Sequence, residues 1–350
     1  MNPEVRIAFA SGVRHARDYA GILRDLPGLR LTCIAEDDTA PAWAIDDSRA
    51  LASDLGLPLR TMTEALADCD ATIVCSEPAR HAELARRSLA AGRHVLIDKP
   101  PAITSAELAP VVAASRRHPE LVVTGVHRLL SPAIVRARGA IDSGGIGLPL
   151  SLDFEWLAAG GLDGTTVERP ELVCDPRLSG GGELTNFGWY PILALQHLSG
   201  LPVQNVAAFG GALFGGPHAD FAVEDSAVLS LGLARGVAAT ITVARVPAGL
   251  SGEPVSSTGR IIGSHGHLVI DESTPFAQVR TSGDGGVRRH RIGGSSGLAA
   301  LRGCFTEFRD AILTGLPVTL TIDGIAAALG VLDAARTSLR TGATAPVGPA

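Results

Sequence analysis

Lys99 is the first residue whose type and setting suggest chemistry. It follows the run His94-Val95-Leu96-Ile97-Asp98 and precedes Pro100-Pro101, so proline restricts the backbone around it. A cation at the carboxyl end of a buried parallel strand points into the crevice where doubly wound sheets take their ligands. A second pattern opens the chain. Ala10-Ser11-Gly12-Val13-Arg14-His15 lies where a dinucleotide fold carries G-x-G-x-x-G, between a first strand and a first helix, and keeps only the second glycine. A side chain there would block close approach of backbone N–H groups and the helix N-terminus to a pyrophosphate. Glu36 ends the second apolar run 24 residues after Gly12, where an acidic side chain accepts hydrogen bonds from the adenosine ribose hydroxyls. Asp37 and Asp38 add negative charge, and no arginine is near to neutralise a 2′-phosphate, which favours NAD over NADP.

Other chemistries find little support. His265-Gly266-His267 resembles a metal pair, but the two rings flank a turn glycine and lack a third ligand, so no metal is expected. No Ser/His/Asp or Cys/His motif points to a hydrolase.

The elements that must position these residues fall into two patterns. Up to about residue 126, short continuous apolar strands (5–10, 29–35, 71–75, 94–97, 121–124) alternate with helical segments (13–24, 48–55, 62–67, 79–91, 104–117). Strands buried on both sides have no polar face to display, so this is the pattern of a parallel, doubly wound Rossmann-type sheet. After a helix over 132–142, β-rich stretches at 148–157, 203–213, 221–233, 236–246, 258–270, 276–281 and 287–292 are separated by Gly, Pro, Asp and Ser clusters. These imply a largely antiparallel sheet, with helices near 184–199, 298–314 and 323–340 and a loose tail after Leu339. The chain is therefore expected to be α/β, with a dinucleotide-binding domain over 1–126 and an α+β substrate-binding and oligomerisation domain over 127–350.

Composition narrows the partners. With 350 residues, 46% apolar and 19% charged, two compact domains are affordable. A net charge of -6 with scattered basic residues offers no stripe for a phosphate backbone, so nucleic acid is not expected. No apolar stretch reaches the length of a membrane span, and the N-terminus lacks a signal-like region, which makes the cytoplasm the expected compartment. Five widely spaced cysteines read as reduced, buried thiols.

The run Ala91-Gly92-Arg93-His94-Val95-Leu96-Ile97-Asp98-Lys99-Pro100 resembles the Gfo/Idh/MocA oxidoreductases, whose members read A-G-k-h-V-l-x-E-K-P there. The resemblance extends to the turn at 10–15, to Pro78-Ala79-Arg80-His81, to Ser143-Gly144-Gly145-Ile146-Gly147, to Gly180-Gly181-Gly182 with Asn186, Gly188 and Tyr190, to Gly263-Ser264-His265-Gly266, and to Thr314-Gly315 with Asp323-Gly324. It implies cofactor contacts from the 10–15 turn (Ala10, Ser11, Gly12, Val13, Arg14, His15), Glu36, Pro78, His81, Asp98 and Lys99, with His81 bracing the helix it begins. It also implies that Lys99 holds the substrate hydroxyl, that His127 and Arg128 open a substrate-contacting segment, and that Asn186 and Tyr190 complete the site. Many relatives carry D-x-G-x-H where this chain has Asn186 and Tyr190, and Asp98 replaces the usual Glu. Asn186 cannot move a proton, so acid/base work falls on Tyr190 and Lys99, with Lys99 as the cation that lowers the tyrosine pKa.

The resulting expectation is hydride transfer between NAD and a secondary alcohol or ketone of a sugar, cyclitol or similar polyhydroxylated small molecule. The other readings are transient use of bound NAD for elimination or glycoside cleavage, a non-catalytic dinucleotide-binding regulator, and reduction of a cyclic imine or tetrapyrrole-like substrate. The last would need an aromatic wall that 4% aromatic residues supply poorly. A sheet with one face left uncovered by helices favours a homodimer or homotetramer.

Overall fold

The computed structural model describes residues 4–159, 162, 169–246, 255–272, 276–281, 287–291 and 296–348. Six strands, β1 (Val5–Ala10), β2 (Leu29–Glu36), β3 (Leu59–Thr61), β4 (Ala71–Val74), β5 (His94–Ile97) and β6 (Val123–Gly125), form a parallel sheet in the order β3-β2-β1-β4-β5-β6. The order reverses between β1 and β4, and the crevice outside the strand ends at such a reversal is where open α/β sheets bind ligands. Helices α1 (Ala16–Arg24), α2 (Ala42–Leu55), α3 (Met62–Asp68), α4 (Pro78–Ala90) and α5 (Ser105–Arg117) connect the strands. Local chemistry sets their starts: Thr61 and Glu64 form a capping box on α3, and Pro78 occupies the first turn of α4, where its missing N–H costs nothing. The strand β3 carries too few apolar residues to stand out in the sequence.

The second half contains α6 (Pro132–Asp142), β7 (Pro149–Ala159), α7 (Glu171–Cys174), α8 (Pro176–Ser179), α9 (Glu183–Phe187), α10 (Trp189–Ser199), β8 (Val203–Gly211), α11 (Pro217–Asp220), β9 (Ser226–Leu233) and β10 (Ala238–Val246). It continues with β11 (Val255–Gly263), β12 (Gly266–Asp271), β13 (Phe276–Thr281), β14 (Val287–Arg291), α12 (Ser296–Thr314), α13 (Ile322–Thr341) and β15 (Ala345–Pro346). Its nine strands run in the order β14-β13-β12-β11-β7-β10-β9-β8-β15, antiparallel except where β7 and β10 pair in parallel. Alternation along β7, β9 and β10 turns Phe154, Trp156, Leu229, Leu231, Ile241 and Val243 inward against α10 and α13. The opposite face carries Asp153, Arg260, Ile262, Phe209 and, directly across from Phe209, Val228, all at least partly exposed; no helix of the described residues covers it.

Three expectations need correction. The segment after Leu339 is not loose: α13 runs to Thr341, Gly342 closes it at φ +69°, and Ala345–Pro346 adds an edge strand to β8, with Val347 donating to the Gln204 carbonyl at 2.9 Å. The 258–270 stretch is a hairpin of two strands folded at Ser264-His265. The helix over 184–199 is divided at Gly188, where a side chain would strike the Leu184 carbonyl oxygen. Residue 292, the last of the 287–292 stretch, lies outside the described residues.

The chain also crosses back on itself. Cys304, Phe305 and Phe308 of α12 are buried against Ile7, Tyr19 and Leu96 of the first sheet and its helix. Each buried phenylalanine contributes about 1.5–3 kcal/mol, so α12 is anchored to the parallel-sheet half of the chain.

Candidate active site

Asp98 and Lys99 leave the end of β5, one strand beyond the order reversal between β1 and β4, and the Lys99–Pro100 peptide bond is cis. Asp98 is fully buried and accepts three hydrogen bonds: from His15 Nδ1 at 2.7 Å, from the Tyr19 hydroxyl at 2.6 Å and from the Lys99 backbone N–H at 2.7 Å. Burial alone would raise its pKa, but His15, Arg14 and His81 hold it well below the usual carboxylate range. His15 occupies the N-cap position of α1, one turn before Tyr19, which explains why this position of the glycine turn is not glycine: its ring clamps the carboxylate that precedes Lys99. His81, also fully buried, places its ring nitrogens 2.7 Å from the carbonyl oxygens of Pro100 and Ser76, so α4 braces the loop that carries Lys99.

The Lys99 ammonium crosses to the second half of the chain. It donates to the Asn186 side-chain oxygen at 2.6 Å and to the Asn186 carbonyl at 3.1 Å, and it is only 3% exposed. Burial, with Arg14 and Arg245 nearby, outweighs the attraction of Asp98 and Glu183 and brings its pKa down to about 7. The Asn186 amide cannot turn freely, because its Nδ2 donates to Glu183 Oε2 at 2.9 Å. Glu183 is fully buried and receives Arg245 Nε at 2.5 Å and His218 Nε2 at 3.0 Å. Burial opposes its ionisation, but His218 and Arg245 hold its pKa below the ordinary value. Arg14, at φ +49°, sends one nitrogen to the Leu172 carbonyl at 3.0 Å and another toward the Asn186 oxygen at 3.4 Å, so the β1–α1 turn reaches the same centre.

An aromatic wall closes one side. Lys99 Nζ lies 5.6 Å from the ring centroids of both Phe187 and Tyr190, while Tyr190 stacks on Trp156 at 4.7 Å and the Arg128 guanidinium lies 4.8 Å over Trp156. Lys99 therefore meets the face of the Tyr190 ring. Burial pushes the Tyr190 phenol up, with Arg128 opposing, so the expected lowering by Lys99 does not occur. Arg128, Trp156, Tyr190, Ser257 and Glu272 line a cleft behind this wall. Three buried polar atoms there, Arg128 Nε, Trp156 Nε1 and Glu272 Oε1, have no hydrogen-bond partner among the described residues, although the far end of the Arg128 guanidinium pairs loosely with Glu272 Oε1 at 3.8 Å. A hydroxyl group can accept from two such donors and donate to the carboxylate. His127 faces away: it is fully buried beside Cys304 and lies 3.5 Å from Glu307 Oε2.

At the other end of the crevice, Glu36 is the centre of a second network. Its oxygens accept from the Ser11 hydroxyl at 2.6 Å, the Ser48 hydroxyl at 2.8 Å, Arg80 at 2.7 Å and the Asp37 N–H at 3.1 Å. An arginine is thus beside Glu36, brought there by α4 although 44 residues away in sequence. Arg87 of the same helix pairs with Asp37 at 2.6 Å. Gly12 is needed for packing, since a Cβ would come within 2.9 Å of the Ser48 Cα, and its N–H donates to Ser48 Oγ at 2.8 Å. Its closest neighbour is thus α2, where the sequence pointed to a pyrophosphate. Pro78 is buried at the start of α4, behind Glu77.

Glu183, Arg245, His218, Tyr19, Ser48, Arg80, Trp156 and Glu272 were not singled out by the sequence. Two carried a signal: a glutamate inside Gly182-Glu183-Leu184, and an arginine inside the otherwise apolar Ala238–Val246 strand.

The donor set fits a dinucleotide: a helix N-terminus after β1, a carboxylate ending β2, and a buried amine ending β5. Fold and site together define an oxidoreductase of the dinucleotide-fold class. Residues 7–126 match the oxidoreductase family with an NAD-binding Rossmann fold, and residues 134–269 match the GFO/IDH/MocA C-terminal domain, so the chain belongs to the Gfo/Idh/MocA family. It is 28% identical over 294 residues to inositol 2-dehydrogenase 2 of Saccharopolyspora erythraea, covering 80% of this chain and 77% of that one. It is 25% identical over 208 residues to the uncharacterized oxidoreductase YrbE of Bacillus subtilis; that match covers 59% of this chain and spans little more than half of the relative's length, 57%. The fold is shared with GenD2 from gentamicin A biosynthesis, a structure determined in complex with NAD, at a TM-score of 0.81 and 23% identity over 99% of this chain and 97% of that one. No helix of the described residues is long and apolar enough to cross a membrane.

Proposed function

We propose that this protein oxidises a secondary alcohol of a polyhydroxylated small molecule, or reduces the corresponding ketone, with NAD. The observation that carries this reading is the buried Lys99 amine, fixed on Asn186 beside a cleft whose Arg128, Trp156 and Glu272 keep buried polar atoms without a hydrogen-bond partner among the described residues; its burial brings the pKa down to about 7. A group whose pKa lies near the working pH is suited to take and return a proton. When bound, the nicotinamide supplies the hydride acceptor or donor.

The chain's own residues do the rest. Lys99 accepts the hydroxyl proton in the oxidative direction and returns it in reduction. Asn186, oriented by Glu183, fixes the amine and adds no charge that would bind the proton too tightly. Tyr190 and Trp156 form an apolar wall that excludes water, and the Tyr190 hydroxyl, held neutral, serves as a hydrogen-bond donor or acceptor for a neighbouring substrate oxygen. Arg128 and Glu272 receive a second hydroxyl. The turn Ala10–His15, with Glu36, Pro78, His81 and Asp98, holds the cofactor directly or braces what does. We further assign the 1–126 segment to the dinucleotide and 127–350 to substrate and self-association, with the uncovered face of the second sheet pairing two copies.

The test is direct. With NAD present, myo-inositol and related cyclitols and sugars are screened by absorbance of the reduced cofactor. At least one polyol is expected to turn over, and Lys99→Ala is expected to keep cofactor affinity within a few fold while losing turnover. Undiminished turnover in Lys99→Ala refutes the assignment.

A further inference from the structure

The carboxylate expected to hold the adenosine ribose is already fully engaged within the chain. A carboxylate offers about four acceptor positions, and Glu36 uses them on Ser11, Ser48, Arg80 and the Asp37 N–H. Two of these partners are neutral hydroxyls, the chemical kind that a ribose presents, so a diol can exchange for them at little net cost. The third is a cation. Arg80 sends Nε and a terminal nitrogen to Glu77 at 2.7 and 3.0 Å, its remaining terminal nitrogen to Glu36 at 2.7 Å, and approaches the Ser11 hydroxyl at 3.4 Å. Two carboxylates therefore share one guanidinium. A guanidinium is the group best matched to a phosphate, yet here the local balance of Glu36, Glu77, Asp37 and Asp38 against Arg80 and Arg87 is negative.

We propose that Arg80 is a specificity-determining residue of the adenosine-ribose subsite, a latent receptor for a 2′-phosphate that Glu36 keeps neutralised. The inference rests on the reading that this chain binds a nicotinamide dinucleotide through Glu36. In the native protein Glu36 repels a 2′-phosphate and occupies the face of Arg80 that would bind it. Removing the charge of Glu36 while leaving the shape, as in Glu36→Gln, replaces the ion pair on one edge of the guanidinium by a neutral amide acceptor that a 2′-phosphate can displace, and Glu77 continues to hold the other edge.

The experiment measures binding alone, by titration calorimetry on the free full-length protein, with NAD, NADP, adenosine 5′-monophosphate and adenosine 2′,5′-bisphosphate as probes. The native protein is expected to favour NAD and the monophosphate. Glu36→Gln is expected to gain about ten- to a hundredfold in affinity for the 2′-phosphorylated probes, the worth of a charge-assisted hydrogen bond to phosphate. The gain is expected to disappear in Glu36→Gln/Arg80→Gln and to survive in part in Glu36→Gln/Arg80→Lys, which keeps the charge if the double glutamine variant does not fold. An equal gain with and without the Arg80 cation, or no gain in Glu36→Gln, overturns the proposal while leaving dinucleotide binding intact. A native protein that binds neither NAD nor NADP overturns the dinucleotide reading, and this inference with it.

Discussion

Replacing Asn186 by Asp tests the role of Lys99 most sharply, because it adds a charge at a known distance from the amine. Nζ stands 2.6 Å from the Asn186 oxygen, where a carboxylate would form a direct ion pair, while its second oxygen would replace the amide donor that now faces Glu183 at 2.9 Å and so add further negative charge to the centre. An opposite charge this close raises an amine's pKa by about 1–3 units, so from about 7 the amine of Asn186→Asp is expected to titrate well on the alkaline side. If Lys99 accepts the hydroxyl proton, kcat/KM for oxidation rises with pH through this pKa, and the rising limb should move alkaline by the same amount. Glu183→Gln makes the opposite perturbation. Glu183 attracts the ammonium through Asn186, and its loss also leaves Arg245 uncompensated, so the limb should move acid. The assay is the pH profile of the native protein and both variants with one polyol, alongside the pH dependence of Lys99 modification by an amine-directed reagent. Limbs that move in the same direction, or that do not move in Asn186→Asp while the reagent reports a shifted lysine, refute Lys99 as the proton acceptor.

Further outcomes follow from the same geometry. Lys99→Met should stabilise the fold near pH 7: the depressed folded pKa means the unfolded chain binds a proton that the native state binds less well, so Lys99 withholds stability on the order of 5 kcal/mol at low pH, returned as pH rises from about 7 toward 10.5. Denaturant melts of the variant should show part of that gain, less the two hydrogen bonds to Asn186, and a gain that does not shrink between pH 7 and 10 would mean the amine's pKa is not depressed. Tyr190→Phe should leave the rising limb in place while weakening substrate binding, because burial already pushes the phenol above the range of the limb; a lost limb would restore Tyr190 as the base. His127 is raised to about 9, its pairing with Cys304 and Glu307 outweighing burial, so it should contribute stability that is complete below about 6.5 and lost as pH climbs through 9. At up to roughly 3 kcal/mol, this pH dependence is measurable by thermal melts and should be reduced, not abolished, in Glu307→Gln, because Cys304 still faces the ring. Sedimentation should find a dimer or larger, and Phe209→Lys on the uncovered sheet face should shift it toward monomer.

Much of the fold was legible because it depends on local periodicity. Strands such as Ala71–Val74 and His94–Ile97 are apolar but for Thr72 and His94 and show no alternating polar face, and that is enough to identify a doubly buried parallel sheet. The tail was misread because Ala345–Pro346 is too short to carry a pattern; it is a strand only because β8 offers an unpaired edge. The site divides in the same way. Lys99 could be put forward from its strand and prolines, and Asn186 and Tyr190 from their motif, and the fold brings the three together. What could not be read was which groups would surround them. Arg80 meets Glu36 across 44 residues and Arg245 meets Glu183 across 62, separations set by sheet order and not by spacing along the chain.

That distinction bears on how the altered motifs should be weighed. Taken singly, a lost glycine at His15, a shortened Asp98 and an amide at Asn186 all suggest decay of a binding turn and an active centre. In the folded chain each loss has a partner. The His15 ring and the Tyr19 hydroxyl grip the shorter carboxylate, so Asp98 gains in hydrogen bonds what it lacks in reach. The charge missing at Asn186 is supplied one layer deeper by Glu183, which orients the amide and attracts the ammonium without contacting it. Burying Glu183 with Arg245 and His218 is costly unless every hydrogen bond is made, and decay would be expected to leave such a cluster half satisfied. Instead, both Glu183 oxygens are occupied, and the amine they support is held where its proton can leave near neutral pH.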